Sequence, residues 1–145
     1  MLHIIRDLND ELLKLVKDDP VRPEIPLEDR VNEHSNIFVW LDDETQRPGA
    51  VVCVKYLDRA PESVKELFSN VERESTAVFY TIWSYAGGAG RTLIEAAAEY
   101  LSSNKPEVTE YVTLSPKTAM AERFHLKNGA SKWRENEDSI NYRYR

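Results

Sequence analysis

"SYAGGAGRTLIEAAAEYL", Ser84 to Leu101, joins two runs of opposite character. Before it lies "STAVFYTIWSY" (Ser75 to Tyr85), β-branched and aromatic almost throughout, which reads as a strand. Its lack of clean alternation predicts a central strand buried on both faces. After it, "GRTLIEAAAEYLSS" carries a helical stripe and stops before Pro106. Gly87, Gly88 and Gly90 sit between them. Such a turn can serve only to reverse the chain. It can also point the first unpaired N–H groups of the helix, and the positive end of its dipole, at an anion, with no Cβ in the way. A pyrophosphate is the natural tenant.

Two familiar phosphate loops do not fit. A Walker loop needs G-x-x-x-x-G-K-[ST], but Arg91 stands at the lysine and Tyr85 at the earlier glycine. A dinucleotide fingerprint needs a third glycine where this chain has Leu93.

Downstream, "EVTEYVTLS" reads as a strand and "PKTAMAERFHLKNG" as a helix, with Pro116 near its start and Gly129 at its stop. "ASKWRENEDSINYRYR" reads as a closing hairpin. Upstream, "LHIIR" is a short strand. Asp7 or Asn9 can cap a helix over "DELLKLVKDD". The prolines of "DPVRPEIP" force an irregular connection, and "LEDRVNEH" allows one or two helical turns. "NIFVWLDDE" and "AVVCVKYLD" form an antiparallel hairpin, and "APESVKELFSN" a helix with Pro61 near its start. The order β α α β β α β α β α β β predicts a mixed, mostly antiparallel α/β sheet of about 6–7 strands with helices on both faces.

The 145 residues suit a single domain over residues 1–145, with 41% apolar and 30% charged side chains. The formal charge of −6 argues against a nucleic-acid coat. One cysteine, Cys53, excludes an internal disulfide, and no Cys/His spacing suits a metal. No apolar run is long enough for a membrane span, and the first residues lack a secretory pattern, so a cytoplasmic location is expected.

The order of strand, "YAGGAGRT", amphipathic helix, strand and "AERFHLKNGA" resembles the GNAT superfamily of acyl-CoA N-acyltransferases. The family loop reads Gln/Arg-x-x-Gly-x-Gly/Ala. Gly88 and Gly90 match its small positions, while Tyr85 stands where Gln or Arg is usual. The likeness covers Ala77 onward, and the earlier residues match by element order alone. It implies acetyl-CoA as cosubstrate and a small-molecule or peptide amine as acceptor. It implies a cleft where the strands of Phe79–Tyr85 and Tyr111–Ser115 splay apart. Pantetheine contacts would come from Ile82, Trp83 and Ser84, with core packing the competing role for Trp83. Phosphate contacts would come from the N–H groups of Gly87, Gly88, Ala89, Gly90, Arg91 and Thr92, beside Tyr85. Phe124 would join the cofactor site.

Acyl transfer from a thioester to an amine needs a neutral amine, a polarised carbonyl and an acid for the leaving thiolate. The family often places a Tyr four residues before the helix-ending Gly. Here that position is His125, which can donate a proton if its pKa stays near or above neutrality. Glu74 is the nearest candidate base, and an ordinary charged turn is its alternative. Ser115 can contact the substrate or cap the following helix. Terminal-strand dimerisation is common in the family, so a homodimer is expected as an option. The departures at Tyr85 and His125 keep two alternatives in view: a binding or regulatory module that has lost the reaction, and an enzyme using another acyl donor.

Overall fold

The computed structural model describes residues 1–144. Seven strands form one sheet: β1 (Leu2–Ile5), β2 (Ser35–Leu41), β3 (Pro48–Leu57), β4 (Thr76–Ser84), β5 (Glu110–Thr113), β6 (Ser131–Glu135) and β7 (Ile140–Tyr144). Their spatial order is β1-β2-β3-β4-β5-β7-β6. Only β4 and β5 run parallel, as their crossover through a helix requires. The expected mixed, mostly antiparallel α/β architecture is therefore present.

The sheet separates two apolar layers. On one face α2 (Ala89–Asn104) buries Leu93, Ala97 and Leu101, spaced one turn apart, against Phe38, Val52, Val54 and Phe79. The other face carries Ile37, Val51, Cys53, Val78 and Leu114 beneath the N-terminal segments. Those segments are tighter than expected. Glu11–Asp18 is a 3-10 helix rather than an α-helix, and its cap is Asp10, not Asp7 or Asn9, with the side chain accepting from the Leu12 N–H. Val64–Phe68 is also a 3-10 helix, begun at Ser63, so Pro61 lies outside it. Only α1 (Leu27–Arg30) adds an α-helical turn on this side.

Helix α3 (Ala119–Lys127) is capped by Thr118, whose hydroxyl accepts from the Ala121 N–H at 3.1 Å. Pro116 and Ser115 therefore precede the helix, and Ser115 is not its cap. Gly129 ends it with φ +97, a conformation that favours glycine. No helix among the described residues is long and apolar enough to cross a membrane.

One irregularity organises the centre of the sheet. Cys53 pairs with Thr81, but Val54 pairs with Phe79, so Tyr80 is an extra residue in β4. Such a bulge bends its strand and leaves its own backbone groups out of the ladder. The parallel pairing of β4 with β5 ends at the same level, with Phe79 opposite Thr113. Beyond it, Ser115 exchanges both backbone hydrogen bonds with Ile140, at 2.9 Å each, and so follows β7 away from β4.

Candidate active site

The parted strands enclose a cleft of about 420 Å³. Tyr80 to Ser84 form one wall, Leu114 to Pro116 another, and Met120, Phe124 and His125 a third, with Pro20 and Val21 at the floor. The side of β4 facing β5 has no strand partner past Phe79. Ile82, Trp83 and Ser84 thus border the cleft, and Trp83 also belongs to the buried core.

The floor is fixed by charges that sequence reasoning missed. Asp19 and Arg30 are both fully buried and paired at 2.7 Å. The other Asp19 oxygen accepts from the N–H groups of Val21 and Arg22 and from the Thr81 hydroxyl, at 2.8 to 2.9 Å. Arg30 also donates to the carbonyls of Ile25 and Arg22. Burial pushes the Asp19 carboxyl up, but bonds from Arg22, Arg30, Val21 and Thr81 outweigh it and hold the pKa below the ordinary 3.8. The loop so held presents Arg22, which donates to the Leu114 carbonyl at 2.9 Å and, more weakly, to the Tyr80 carbonyl at 3.4 Å. Its guanidinium therefore spans the point where β4 and β5 part and satisfies the carbonyl of the bulged residue.

At the other end stands the glycine loop. Gly88 adopts φ +78 and precedes the helix with no side-chain cap. The Tyr85 and Ala86 N–H groups donate to the Gly49 carbonyl, Ala89 to Ala86 and Thr92 to Gly88. The N–H groups of Gly87, Gly88, Gly90 and Arg91 have no backbone acceptor among the described residues. The expected row of donors thus contracts to four, since Ala89 and Thr92 are already engaged. A Cβ on Gly90 would lie 2.9 Å from both the Phe124 ring and Ser84 Oγ, so glycine lets α2, α3 and the end of β4 meet. Tyr85, Gly87, Gly88, Ala89 and Thr92 also line an open depression of about 720 Å³ with Trp40 and Arg47. Arg47, on the β2–β3 turn, is a cation near the loop that the sequence did not single out. Arg91 is exposed and paired with Glu95 at 3.1 Å. The Tyr85 hydroxyl accepts from Trp83 Nε1 and donates to Asp18, tying the loop to the first 3-10 helix.

Three expected chemical groups have different fates. His125 lines the cleft, with Nδ1 2.7 Å from the Tyr144 hydroxyl and its ring stacked on Tyr142. Burial pushes its pKa down from 6.5 to about 4, which favours the neutral ring over the expected imidazolium acid. Ser115 lines the cleft with its hydroxyl on Thr113 Oγ1 at 2.7 Å. Glu74 does not reach the cleft. It precedes β4, at the opposite end of that strand, and binds His34 at 2.6 Å and Lys105 at 3.1 Å. No group of three His, Cys, Asp or Glu residues able to hold a metal occurs among the described residues.

This arrangement has parallels among solved structures. PaiA N-acetyltransferase from Thermoplasma acidophilum, in complex with coenzyme A, superposes with TM-score 0.65 over 100% of this chain and 99% of its own, at 11% identity. A GNAT-family protein from Desulfovibrio desulfuricans gives 0.62 over 99% and 98%, at 16% identity. The chain has the GNAT fold. The same fold is matched in a malonyl-CoA decarboxylase from Agrobacterium vitis, with TM-score 0.70 and 23% identity over 86% of this chain. There the chain spans about a third of the partner's length, 35%. No protein-family model matches the chain, and no curated protein sequence does. The likeness to GNAT proteins is one of fold.

Proposed function

We propose that the chain is an acyltransferase of the GNAT superfamily that binds acetyl-CoA and transfers its acetyl group to a primary amine. The observation that carries this reading is the pairing of an apolar cleft along the free edge of β4 with four unengaged N–H groups at the start of α2. Pantetheine is a narrow chain with amide groups, suited to lie along an open strand edge beside Ile82, Trp83 and Ser84. The diphosphate would take the N–H groups of Gly87, Gly88, Gly90 and Arg91 and the positive end of the helix. Phe124 would pack against the arm. Ser115 and His125 would face the thioester. With no carboxylate among the described residues that line the cleft, the amine would enter neutral or lose its proton to water.

A second reading is favoured by those same two groups. A malonyl thioester needs no amine base. Its C–C bond to the carboxylate breaks, the electron pair passes into a thioester enolate, CO2 leaves, and C2 takes a proton to give an acetyl thioester. Uncharged donors near the thioester oxygen would stabilise the enolate. The structural likeness to malonyl-CoA decarboxylase points the same way.

Calorimetric titration with CoA, acetyl-CoA and malonyl-CoA tests both readings. Micromolar binding that is lost in Gly88→Glu, which puts bulk and negative charge at the helix start, supports the acyl-CoA site. Thiol release with an amine panel then supports acyl transfer, and conversion of malonyl-CoA to acetyl-CoA without an amine supports decarboxylation. No binding of any of the three removes both readings.

A further inference from the structure

His125 offers two nitrogens to two different surroundings. Nδ1 lies 2.7 Å from the Tyr144 hydroxyl, in the interior. Nε2 has no protein partner among the described residues and is not among the buried polar atoms sealed from solvent, and the ring that carries it lines the cleft. Tyr144 is 8% exposed, and His125 is the only hydrogen-bond partner of its hydroxyl among the described residues.

Two assignments of the shared proton are possible. If Nδ1–H donates to the tyrosine oxygen, the Tyr144 O–H is left in the interior without an acceptor, which costs about 1–3 kcal/mol. If the Tyr144 O–H donates to a bare Nδ1, both groups are satisfied and the ring's own proton sits on Nε2. Burial raises the Tyr144 pKa, so this hydroxyl stays a donor. Packing leaves the ring little choice of orientation: Tyr142 stacks on it at 28°, while Phe124 and Tyr144 meet it edge-on at 84° and 75°. No charged side chain contributes to its pKa shift, which comes from burial alone.

We infer that the Tyr144 hydroxyl fixes His125 as the Nε2–H tautomer, so that a neutral imidazole presents a hydrogen-bond donor, not a base, to the acyl oxygen in the cleft. The donor role rests on the acyl-thioester reading of the cleft; the tautomer does not. His125 then polarises a thioester carbonyl, or steadies the negative charge that develops on its oxygen, without itself gaining a proton. Tyr144 is a positioning residue that acts through the ring. This also gives His125 one role under either reading of the reaction.

The test is long-range proton–nitrogen NMR of the imidazoles in wild-type protein labelled with ¹⁵N-histidine, with the His125 signals assigned by their loss in His125→Gln. The expected pattern is a protonated Nε2 and a bare Nδ1, held from neutrality down to about pH 6, where a free histidine would already be largely charged. A protonated Nδ1, a mixture of tautomers, or a doubly protonated ring in that range overturns the inference. Tyr144→Phe, with its fold checked by circular dichroism, is expected to lose the fixed pattern; an unchanged pattern overturns the role of Tyr144. Adding acetyl-CoA or malonyl-CoA is expected to move the Nε2 signal. A fixed Nε2–H tautomer that ignores a thioester shown by calorimetry to be bound refutes the donor role alone; absence of binding removes the reading of the cleft and the donor role with it, while the tautomer stands. Once turnover is measured, His125→Ala is expected to lose about 100- to 1,000-fold in kcat, and His125→Gln, which keeps an N–H but cannot titrate, about tenfold. Equal losses in the two overturn the donor role.

Discussion

On the α2 face of the sheet, Leu93, Ala97 and Leu101 meet Phe38, Val52 and Phe79 through apolar contacts that repeat with the helix. On the opposite face, the loop from Asp19 to Arg22 is held by two of its own backbone N–H groups, a buried ion pair with Arg30 and the hydroxyl of the distant Thr81. Both layers bound the same cleft. The first places a helix, and errors in it are graded, because one lost methyl costs little. The second places a single guanidinium at the fork between β4 and β5. Directional polar contacts either close or leave a charge without a partner, so errors there are abrupt. The cleft thus has a tolerant side that carries the proposed phosphate loop and an intolerant side that fixes its width.

Cutting the polar side should give the largest effect. Asp19→Ala leaves Arg30 buried without its carboxylate, and a loss of about 3–5 kcal/mol is expected by denaturant unfolding. A loss below 1 kcal/mol would show that the loop is held by packing rather than by the pair. The pair also sets an acid limit. The folded pKa of Asp19 is lowered, so the unfolded state binds the extra proton in acid. Its contribution is complete above the ordinary carboxylate value of 3.8 and fades as pH falls through the lower folded value. Wild-type stability should therefore decline more steeply in that range than that of the alanine variant.

The apolar side breaks more gently. In Gly90→Ala the new methyl would sit 2.9 Å from the Phe124 ring and from Ser84 Oγ. Overpacking of this kind costs about 1–3 kcal/mol. Because Phe124 borders the cleft, CoA affinity should fall alongside the melting temperature. Full affinity with a lowered melting temperature would separate the cofactor site from this contact.

The same contrast explains which parts the sequence disclosed. The strand, glycine turn and helix from Thr76 to Asn104 are local events, fixed by residue types within a few positions of one another. So are the closing helix and hairpin. The approximate number of strands and the parallel pair follow from that local pattern, while the place of Trp83, Ser84, Phe124 and His125 beside a cleft is what the resemblance to GNAT proteins implied. The bulge at Tyr80 did not announce itself, because an extra residue in a strand is defined by its partner strand. Nor did Asp19, Arg22 and Arg30, whose meaning lies in contacts with Thr81, Leu114 and Ile25. Proline-rich sequence around them signalled irregular chain but not what it binds. Glu74 was nominated because it precedes the loop-bearing strand. That neighbourhood in sequence put it at the wrong end of the strand in space, where His34 and Lys105 claim it. The resemblance singled out His125 by its place before Gly129, and the residue lines the cleft, yet its charge state depends on burial against Tyr142 and Tyr144, which a motif position does not carry.

The smallest effect should come from Arg91, which tests whether the tolerant side acts through its backbone or its side chain. Arg91 lies in the first turn of α2, exposed, and pairs with Glu95 one turn on. An exposed pair of this spacing contributes about 0.3–0.5 kcal/mol, so Arg91→Ala should hardly move the unfolding midpoint. Its effect on CoA binding is the informative quantity. If the four free N–H groups and the helix dipole supply most of the phosphate contact, loss of the side chain should weaken binding by no more than about tenfold, one charge-assisted contact. A loss of a hundredfold or more would mean that Arg91 leaves Glu95 to grip the diphosphate. The charge-neutral Glu95→Gln variant would then bind CoA more tightly than wild type, because it frees the guanidinium in advance. If neither substitution changes affinity, the loop binds through its backbone alone, and the glycines that shape it carry the recognition.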